Sequence, residues 1–110
     1  MVHRGPDLRR LRHFVAVADA GSVTAAAASL HLTQQALSSS IQQLEKQLGA
    51  SLFDREGRRL RLTPAGRVLL AEGRPLLAAA QTVAEQVESA AAGARAEFVI
   101  GHTPALSGVE

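Results

Sequence analysis

The stretch from Ser22 to Leu48 constrains the fold more than any other part of the chain, because it predicts two short helices with almost nothing between them. Ser22 and Thr33 suit the starts of these helices, since a hydroxyl can accept a hydrogen bond from a free backbone N–H group there. The connection is only His31-Leu32, which is too short for the helices to lie side by side. They must cross at an angle, as the two helices of a helix-turn-helix motif do.

The second of these helices has two different faces. Apolar residues recur at spacings of four, three and four, which places Leu37, Ile41, Leu44 and Leu48 on one stripe. The opposite face carries no acidic residue and consists of Gln35, Ser38, Ser39, Gln42, Gln43 and Lys46. A solvated face usually mixes acids with bases, whereas Ser and Gln can hydrogen-bond base edges in a major groove. We therefore interpret this helix as a recognition helix.

The composition is typical of a small, mostly helical domain. The 110 residues are rich in Leu and Ala, contain three aromatic side chains and lack cysteine, which excludes disulfides and zinc–thiolate sites. No apolar run approaches the roughly 20 residues of a membrane span. The basic, polar N-terminus lacks the apolar core of a signal peptide. We expect a cytoplasmic, nucleoid-associated protein without a cofactor.

Charge is distributed unevenly along the chain. Residues 1–67 hold ten of the twelve Lys and Arg residues against five acids, whereas residues 68–110 hold two against five. A basic region favours a polyanionic partner, because phosphate neutralisation supplies most nonspecific affinity for nucleic acids. The alternative is a solvated surface whose charge is uneven by chance.

A first helix precedes the motif, with Asp7 as its predicted N-cap. Its apolar stripe is predicted to contain Leu8, Leu11, Val15 and Ala18, with Phe14 beside it. Arg9, Arg10 and Arg12 lie mostly off this stripe. They could contact a DNA backbone, although a solvated face is the favoured interpretation for at least two of them.

A short hairpin is predicted after the recognition helix, which ends at Gly49. Two extended segments flank a turn at residues 54–57, and the second alternates basic and apolar residues from Arg58 to Leu62. A hairpin of this size needs a partner to be stable, and against a helix-turn-helix it forms a wing. Leu60 and Leu62 should face inward. The candidates for phosphate or minor-groove contacts near its tip are Arg55, Arg58 and Arg59.

Thr63 and Pro64 predict the start of a long last helix. Its apolar seam alternates steps of four and three and runs through Leu69, Gly73, Leu76, Ala80, Val83, Val87 and Ala90. Such a seam predicts dimerisation, and its candidate contacts are Leu69, Leu76, Ala80, Val83 and Val87. The alternative is that the helix folds back on its own domain. Pro75 should kink or open the helix locally.

The last residues predict a different element. Residues 91–94 should form a hinge, and residues 97–101 should form a buried strand with no partner nearby. We expect a fragment cut just inside a second domain.

Five sequence blocks occur in an order and spacing that resemble one protein family. They read SVTAAA, LTQQALS, IQQLEKQLG, LFDR and LTPAG. The chain is similar to the N-terminal winged helix-turn-helix of LysR-type transcriptional regulators over residues 8–67 and through the linker helix to about residue 92. This resemblance implies a mostly α fold of three helices plus a β-hairpin wing at residues 7–64, with the motif at about 23–42. It also implies a linker helix at 65–92. The hinge and the start of a truncated effector domain follow at 93–110.

The resemblance also implies a function. Regulators of this family bind an interrupted inverted repeat in double-stranded promoter DNA, and linker helices pair two subunits. A C-terminal domain, which is essentially missing from this sequence, would bind a small-molecule effector. A homodimer is expected for the chain, and a tetramer for the full-length protein.

By the same resemblance, several residues match positions that approach DNA. They are Thr33, Gln34, Ser38 and Ser39 in the recognition helix region, Thr24 in the preceding helix and Arg55 in the wing. Gln35 stands where the family commonly has proline, and Ser39 where Arg or Lys is common. We hypothesise that Gln34 or Gln35 contacts adenine, whose N6/N7 edge suits a Gln side chain. The full candidate set is Thr24, Thr33, Gln34, Gln35, Ser38, Ser39, Gln42, Arg55, Arg58 and Arg59.

Two other classes of function are alternatives to DNA binding. A winged helix can also bind another protein, and a steep loss of binding with added salt would favour DNA instead. Catalysis has the weakest support, because the four histidines are scattered and the serine run at 38–40 has no nearby activating His–acid pair. Glu45 fits a helix-surface or ion-pair residue better than a catalytic base.

Overall fold

The computed structural model describes residues 5–57 and 59–100. Its elements are α1 (Leu8–Ala20), α2 (Val23–Leu30), α3 (Gln34–Leu48), β1 (Phe53–Glu56), β2 (Arg59–Leu62) and α4 (Pro64–Ile100). The two strands form an antiparallel hairpin in which Phe53 faces Leu62 and Glu56 faces Arg59. The predicted winged helix-turn-helix with a long last helix is therefore confirmed. Two compact units result, Met1–Leu77 and Ala78–Glu110.

Side-chain caps fix the helix starts as the sequence predicts. The Asp7 carboxylate accepts from the N–H groups of Arg9 and Arg10, and these bonds hold the pKa of Asp7 below its usual value. The Ser22 and Thr33 hydroxyls accept from the third residue after each of them, at 3.0 Å in both cases. Each such cap stabilises its helix by about 1 kcal/mol. They define the short turn between α2 and α3.

The core lies where the three helices and the start of the wing meet. Its fully or nearly fully buried residues are Leu11, Phe14, Val17, Ala26, Ala27, Leu37, Ile41, Leu44 and Leu52. The small side chains of Ala26 and Ala27 allow α2 to approach its neighbours closely. This arrangement leaves the other side of α3 free.

The buried stripe of α1 differs from the prediction. It runs through Leu11, Phe14 and Val17, while Leu8 is 37% exposed and Val15 is half-buried. The Phe14 ring packs on Phe53 with centroids 5.2 Å apart, so the largest side chain lies at the centre of the stripe. Burying the Phe14 ring stabilises the fold more than burying a smaller aliphatic side chain would, because the free energy gained scales with the apolar area buried.

Two polar residues attach the wing to the helices. The Glu45 carboxylate of α3 accepts from the Leu52 backbone N–H at 2.8 Å. The Thr63 hydroxyl donates to the Ser51 carbonyl at 2.6 Å and accepts from the Gly66 N–H at 2.9 Å. Thr63 therefore caps α4 and also closes the base of the hairpin.

The first turns of α4 pack against the rest of their unit. Leu69, Leu70 and Leu77 are half-buried against the core, and Gly73 is buried so close to Leu11 that an added Cβ would lie 2.9 Å from its Cδ1. Leu69 is therefore partly covered by its own unit, and its contact with a second chain stays a prediction. A repeat of four and three predicts an apolar face but does not reveal what covers it.

The end of α4 also differs from the prediction. The helix continues through residues 91–94 to Ile100, so the hinge and the strand expected there are wrong for the described residues, and Gly101 lies outside them. Alanine has the highest helix propensity, and one interior glycine costs only about 1 kcal/mol. The helix also includes Pro75. Among residues 5–57 and 59–100, no helix is both long and apolar enough to span a membrane.

Candidate nucleic-acid interface

The N-terminal half of α3 presents a polar surface. Gln34, Gln35, Ser39 and Gln42 are exposed, and Ser38 is half-buried. These five side chains line one shallow concavity on the protein surface. The helix starts at this surface because Thr33 caps it, and it is held there by the buried stripe on its opposite side. The sequence prediction that these side chains are free for a partner agrees with their exposure.

Arg55 joins this surface from the wing. With Thr24 and Gln34 it lines a concavity between the starts of α2 and α3. With Ser38, Gln42 and Glu45 it lines a second concavity along α3. Among the side chains of residues 5–57 and 59–94, no carboxylate forms an ion pair with Arg55. The structure thus brings together Thr24, the polar side chains of α3 and one free wing arginine.

The other wing arginines differ in their surroundings. Arg59 is exposed at the start of β2, next to the turn. Arg61 forms an exposed ion pair with Glu56 at 2.6 Å, which partly neutralises the outer face of the hairpin. Arg58 lies outside the described residues.

Two positioning contacts were not predicted. Glu45, interpreted from sequence as a helix-surface or ion-pair residue, ties the end of α3 to the start of the wing through Leu52. His13 of α1 shares a hydrogen bond with Ser40 of α3, with Nδ1 and Oγ 2.7 Å apart. Neither contact has a signal in the local sequence pattern, because each partner is contributed by a different element.

The predicted dimer residues fall into two groups. Leu76 is 45% exposed, and Val83 and Val87 are each 62% exposed. Ala80 is half-buried, and Leu69 packs on the core as described above. Val68, which is not in the predicted seam, is 64% exposed. Among the predicted dimer residues, Leu76, Val83 and Val87 are therefore the most exposed apolar side chains.

Near Leu76, an ion pair fixes α4 to α1. The Arg74 guanidinium donates to both Asp19 carboxylate oxygens, at 2.5 and 3.2 Å. This contact lowers the pKa of the Asp19 carboxyl and raises that of Arg74. Both groups are about half exposed, so the pair is expected to weaken as salt is added.

Solved structures with this architecture include two DNA complexes. The chain is 36% identical to the DNA-binding domain in the BenM_DBD/catB site 1 DNA complex, with a TM-score of 0.73. The matched region covers 77% of this chain and 94% of that one. It is 38% identical to the domain in the CbnR_DBD–DNA complex, with a TM-score of 0.71, over 77% of this chain and 98% of that one.

Sequence comparison gives the family. The HTH-type transcriptional regulator TfdT of Cupriavidus pinatubonensis is 43% identical over 92 residues, which are 84% of this chain and 40% of TfdT. The chain thus spans less than half the length of that relative. A family model described as bacterial regulatory helix-turn-helix protein, lysR family, matches residues 8–67. The match extends over more than half of the chain, and this protein belongs to the LysR family of bacterial regulatory helix-turn-helix proteins.

Proposed function

We propose that this chain is the DNA-binding part of a transcriptional regulator and reads duplex DNA with α3 in the major groove. The observation that carries this proposal is the concavity on α3 that is lined only by Gln and Ser side chains, with Arg55 in the adjoining concavity. An α-helix is about 10–12 Å across and the major groove is about 12 Å wide, so the two match in size. The similarity to two domains that were solved in complex with DNA supports duplex DNA as the partner.

The side chains that would read the bases are the amides and hydroxyls of α3. Gln34, Gln35, Ser38, Ser39 and Gln42 are the side chains of the α3 concavity that would face base edges. Gln suits the N6/N7 edge of adenine, and each good bidentate contact contributes about 1–3 kcal/mol of discrimination. Thr24, Thr33, Arg55, Arg58 and Arg59 would contact the backbone or the minor groove, which sets the register of α3 in the groove.

Pairing of two chains would supply the rest of the selectivity. A few base contacts cannot distinguish one site among the roughly 10⁶–10⁹ competing sites of a genome. Leu76, Val83 and Val87 of α4 are exposed apolar side chains that a second α4 could cover, with Ala80 between them. The second half-site is then engaged as an intramolecular step. We therefore propose a homodimer on an interrupted inverted repeat.

Further properties concern the full-length regulator. As in the family, we propose a small-molecule effector domain after α4, a tetrameric assembly and a place in the cytoplasm at the nucleoid. TfdT, the relative compared above, is named as a transcriptional regulator and not as an enzyme. A regulatory role without catalysis is in keeping with that name.

Selection of duplexes from a random pool, followed by titration of a selected labelled duplex, tests the function. For DNA binding, the logarithm of affinity should fall linearly with the logarithm of salt, with a slope of about −0.9 for each neutralised phosphate. Arg55→Ala should reduce that slope, whereas Arg12→Ala, at an exposed arginine of α1 that lines none of these concavities, is the control substitution. Failure to enrich any sequence, with no binding in dilute buffer, would favour a protein-binding winged helix instead.

A further inference from the structure

A second cationic cleft lies on the side of α3 that the wing does not use. It is formed by the start of α1 and the middle of α3, and its polar lining residues are Asp7, Arg9, Arg10, His13, Ser39, Ser40 and Gln43. Ser39 also lines the α3 concavity that is proposed to face the bases, so the cleft adjoins that concavity. The wing arginine, in contrast, shares its concavity with Ser38 and Gln42.

The position of this cleft matches the second DNA strand. Successive residues of a helix are about 100° apart, so Ser39 and Gln43 lie on a different flank from Ser38 and Gln42. A helix in the major groove has one phosphate backbone on each side of it. If Arg55 contacts one backbone, the cleft at Arg9 and Arg10 is next to the other.

The charges in the cleft favour an anion. Arg9 and Arg10 supply two guanidinium groups, and Asp7 is the one carboxylate among the lining residues. That carboxylate already accepts hydrogen bonds from two N–H groups at the start of α1. The lining side chains of α3 and of the α2–α3 turn are uncharged.

His13 adds a charge that depends on pH. Its Nδ1 is 2.7 Å from the Ser40 Oγ. A protonated imidazole has two N–H donors, so it can donate to Ser40 and keep a second donor for a phosphate oxygen. Burial and the nearby Arg9 lower the pKa of His13, while Asp7 acts in the opposite direction. In the free protein the ring is therefore mainly neutral at neutral pH.

We propose that Arg9, Arg10 and His13 form a second backbone-phosphate subsite on the Ser39 flank of α3, and that protonation of His13 strengthens DNA binding. This inference rests on the proposed DNA binding. A phosphate beside the ring stabilises its charged form, so the complex takes up a proton. Affinity should rise as the pH falls through the pKa of His13 in the complex, and level off below its pKa in the free protein.

The first test compares wild type with His13→Gln in titrations of one selected, labelled duplex. Between about pH 8 and about pH 5.5, wild type should gain about three- to tenfold more affinity than the variant, because only wild type titrates in the cleft. His31→Asn is the matched control: His31 is exposed in the turn with a φ of 58°, a conformation that Asn tolerates. Equal gains for wild type and His13→Gln would overturn the role of His13.

The second test concerns the arginines and needs no change of pH. Arg9→Gln and Arg10→Gln should each reduce the salt slope by up to about 0.9, the value for one phosphate. Arg12→Gln, on an exposed arginine of α1 outside the cleft lining, is the control. Unchanged slopes in both variants would overturn the subsite.

A measurement on wild type alone tests the same proposal if one of the substitutions prevents folding. In wild type, NMR titration of the His13 ring should give a higher pKa with the duplex than without it. An unmoved pKa in a saturated complex would contradict the proposal. Binding that depends on Arg55 but on none of these groups refutes only this subsite, whereas absence of any DNA binding refutes the proposed function itself.

Discussion

Glu45 offers a sharp test of how the wing is positioned. Its carboxylate accepts a 2.8 Å hydrogen bond from the Leu52 N–H, and Leu52 is only 1% exposed. Glu45→Ala removes a charged acceptor and leaves a buried donor without its partner. Hydrogen bonds to charged groups contribute about 1.5–3 kcal/mol, and we expect Glu45→Ala to lower the free energy of unfolding by about that amount.

The assay is urea unfolding at one fixed protein concentration, because association would otherwise add to the apparent stability. Glu45→Gln keeps an oxygen acceptor and should lose less than half as much. Gln43→Ala, at an exposed position of the same helix, should change stability by less than about 0.5 kcal/mol. If Glu45→Ala were as stable as Gln43→Ala, the hydrogen bond would not hold the wing.

The same substitution should affect DNA binding through Arg55. Under conditions where Glu45→Ala remains folded, a displaced wing should weaken binding about as much as Arg55→Ala does. The double variant should then bind little worse than either single variant, since both changes remove the same contact. Additive losses would mean that Glu45 does not act through the position of the wing arginine.

Three further outcomes are expected. Gln35→Ala should reduce discrimination at one base pair by about 1–3 kcal/mol in binding to single-base variants of the selected site; unchanged discrimination would exclude base readout by Gln35. Val83→Glu should raise the dimer dissociation constant by about tenfold or more in sedimentation equilibrium, because it buries an unpaired charge. Leu69→Ala should instead lower the thermal stability of the chain. The reverse pattern would contradict the burial of Leu69. Gly66→Ala should destabilise the chain by about 1–3 kcal/mol in urea unfolding, because its Cβ would clash with the Leu52 carbonyl; wild-type stability would show that the backbone gives way.

Local signals explain what the sequence predicts well. The caps at Asp7 and Thr33 and the apolar stripe of α3 depend on residues within one or two turns of each other. Hydrogen-bonding chemistry and helical period are enough to locate them. The exposed polar face of α3 follows directly, because burying one stripe leaves the opposite side free.

Tertiary context explains the rest. The α4 seam has the same spacing whether a core or a second chain covers it, so the period alone cannot distinguish Leu69 from Val83. The bonds from Glu45 to Leu52 and from His13 to Ser40 join different elements. The apolar run after Glu97 is short, and short apolar runs fit a helix as well as a strand.

The close packing of Gly73 on Leu11 has a consequence for protein engineering. Leu11 is completely buried, and part of its cover comes from a helix that follows the wing. A chimera joined directly after Thr63 would replace the first turns of α4 with a foreign sequence. The DNA-binding domain would then lose the apolar packing of these turns on Leu11. A junction placed after Leu77 keeps the packed turns together, so grafting of this domain onto another pairing helix should begin there.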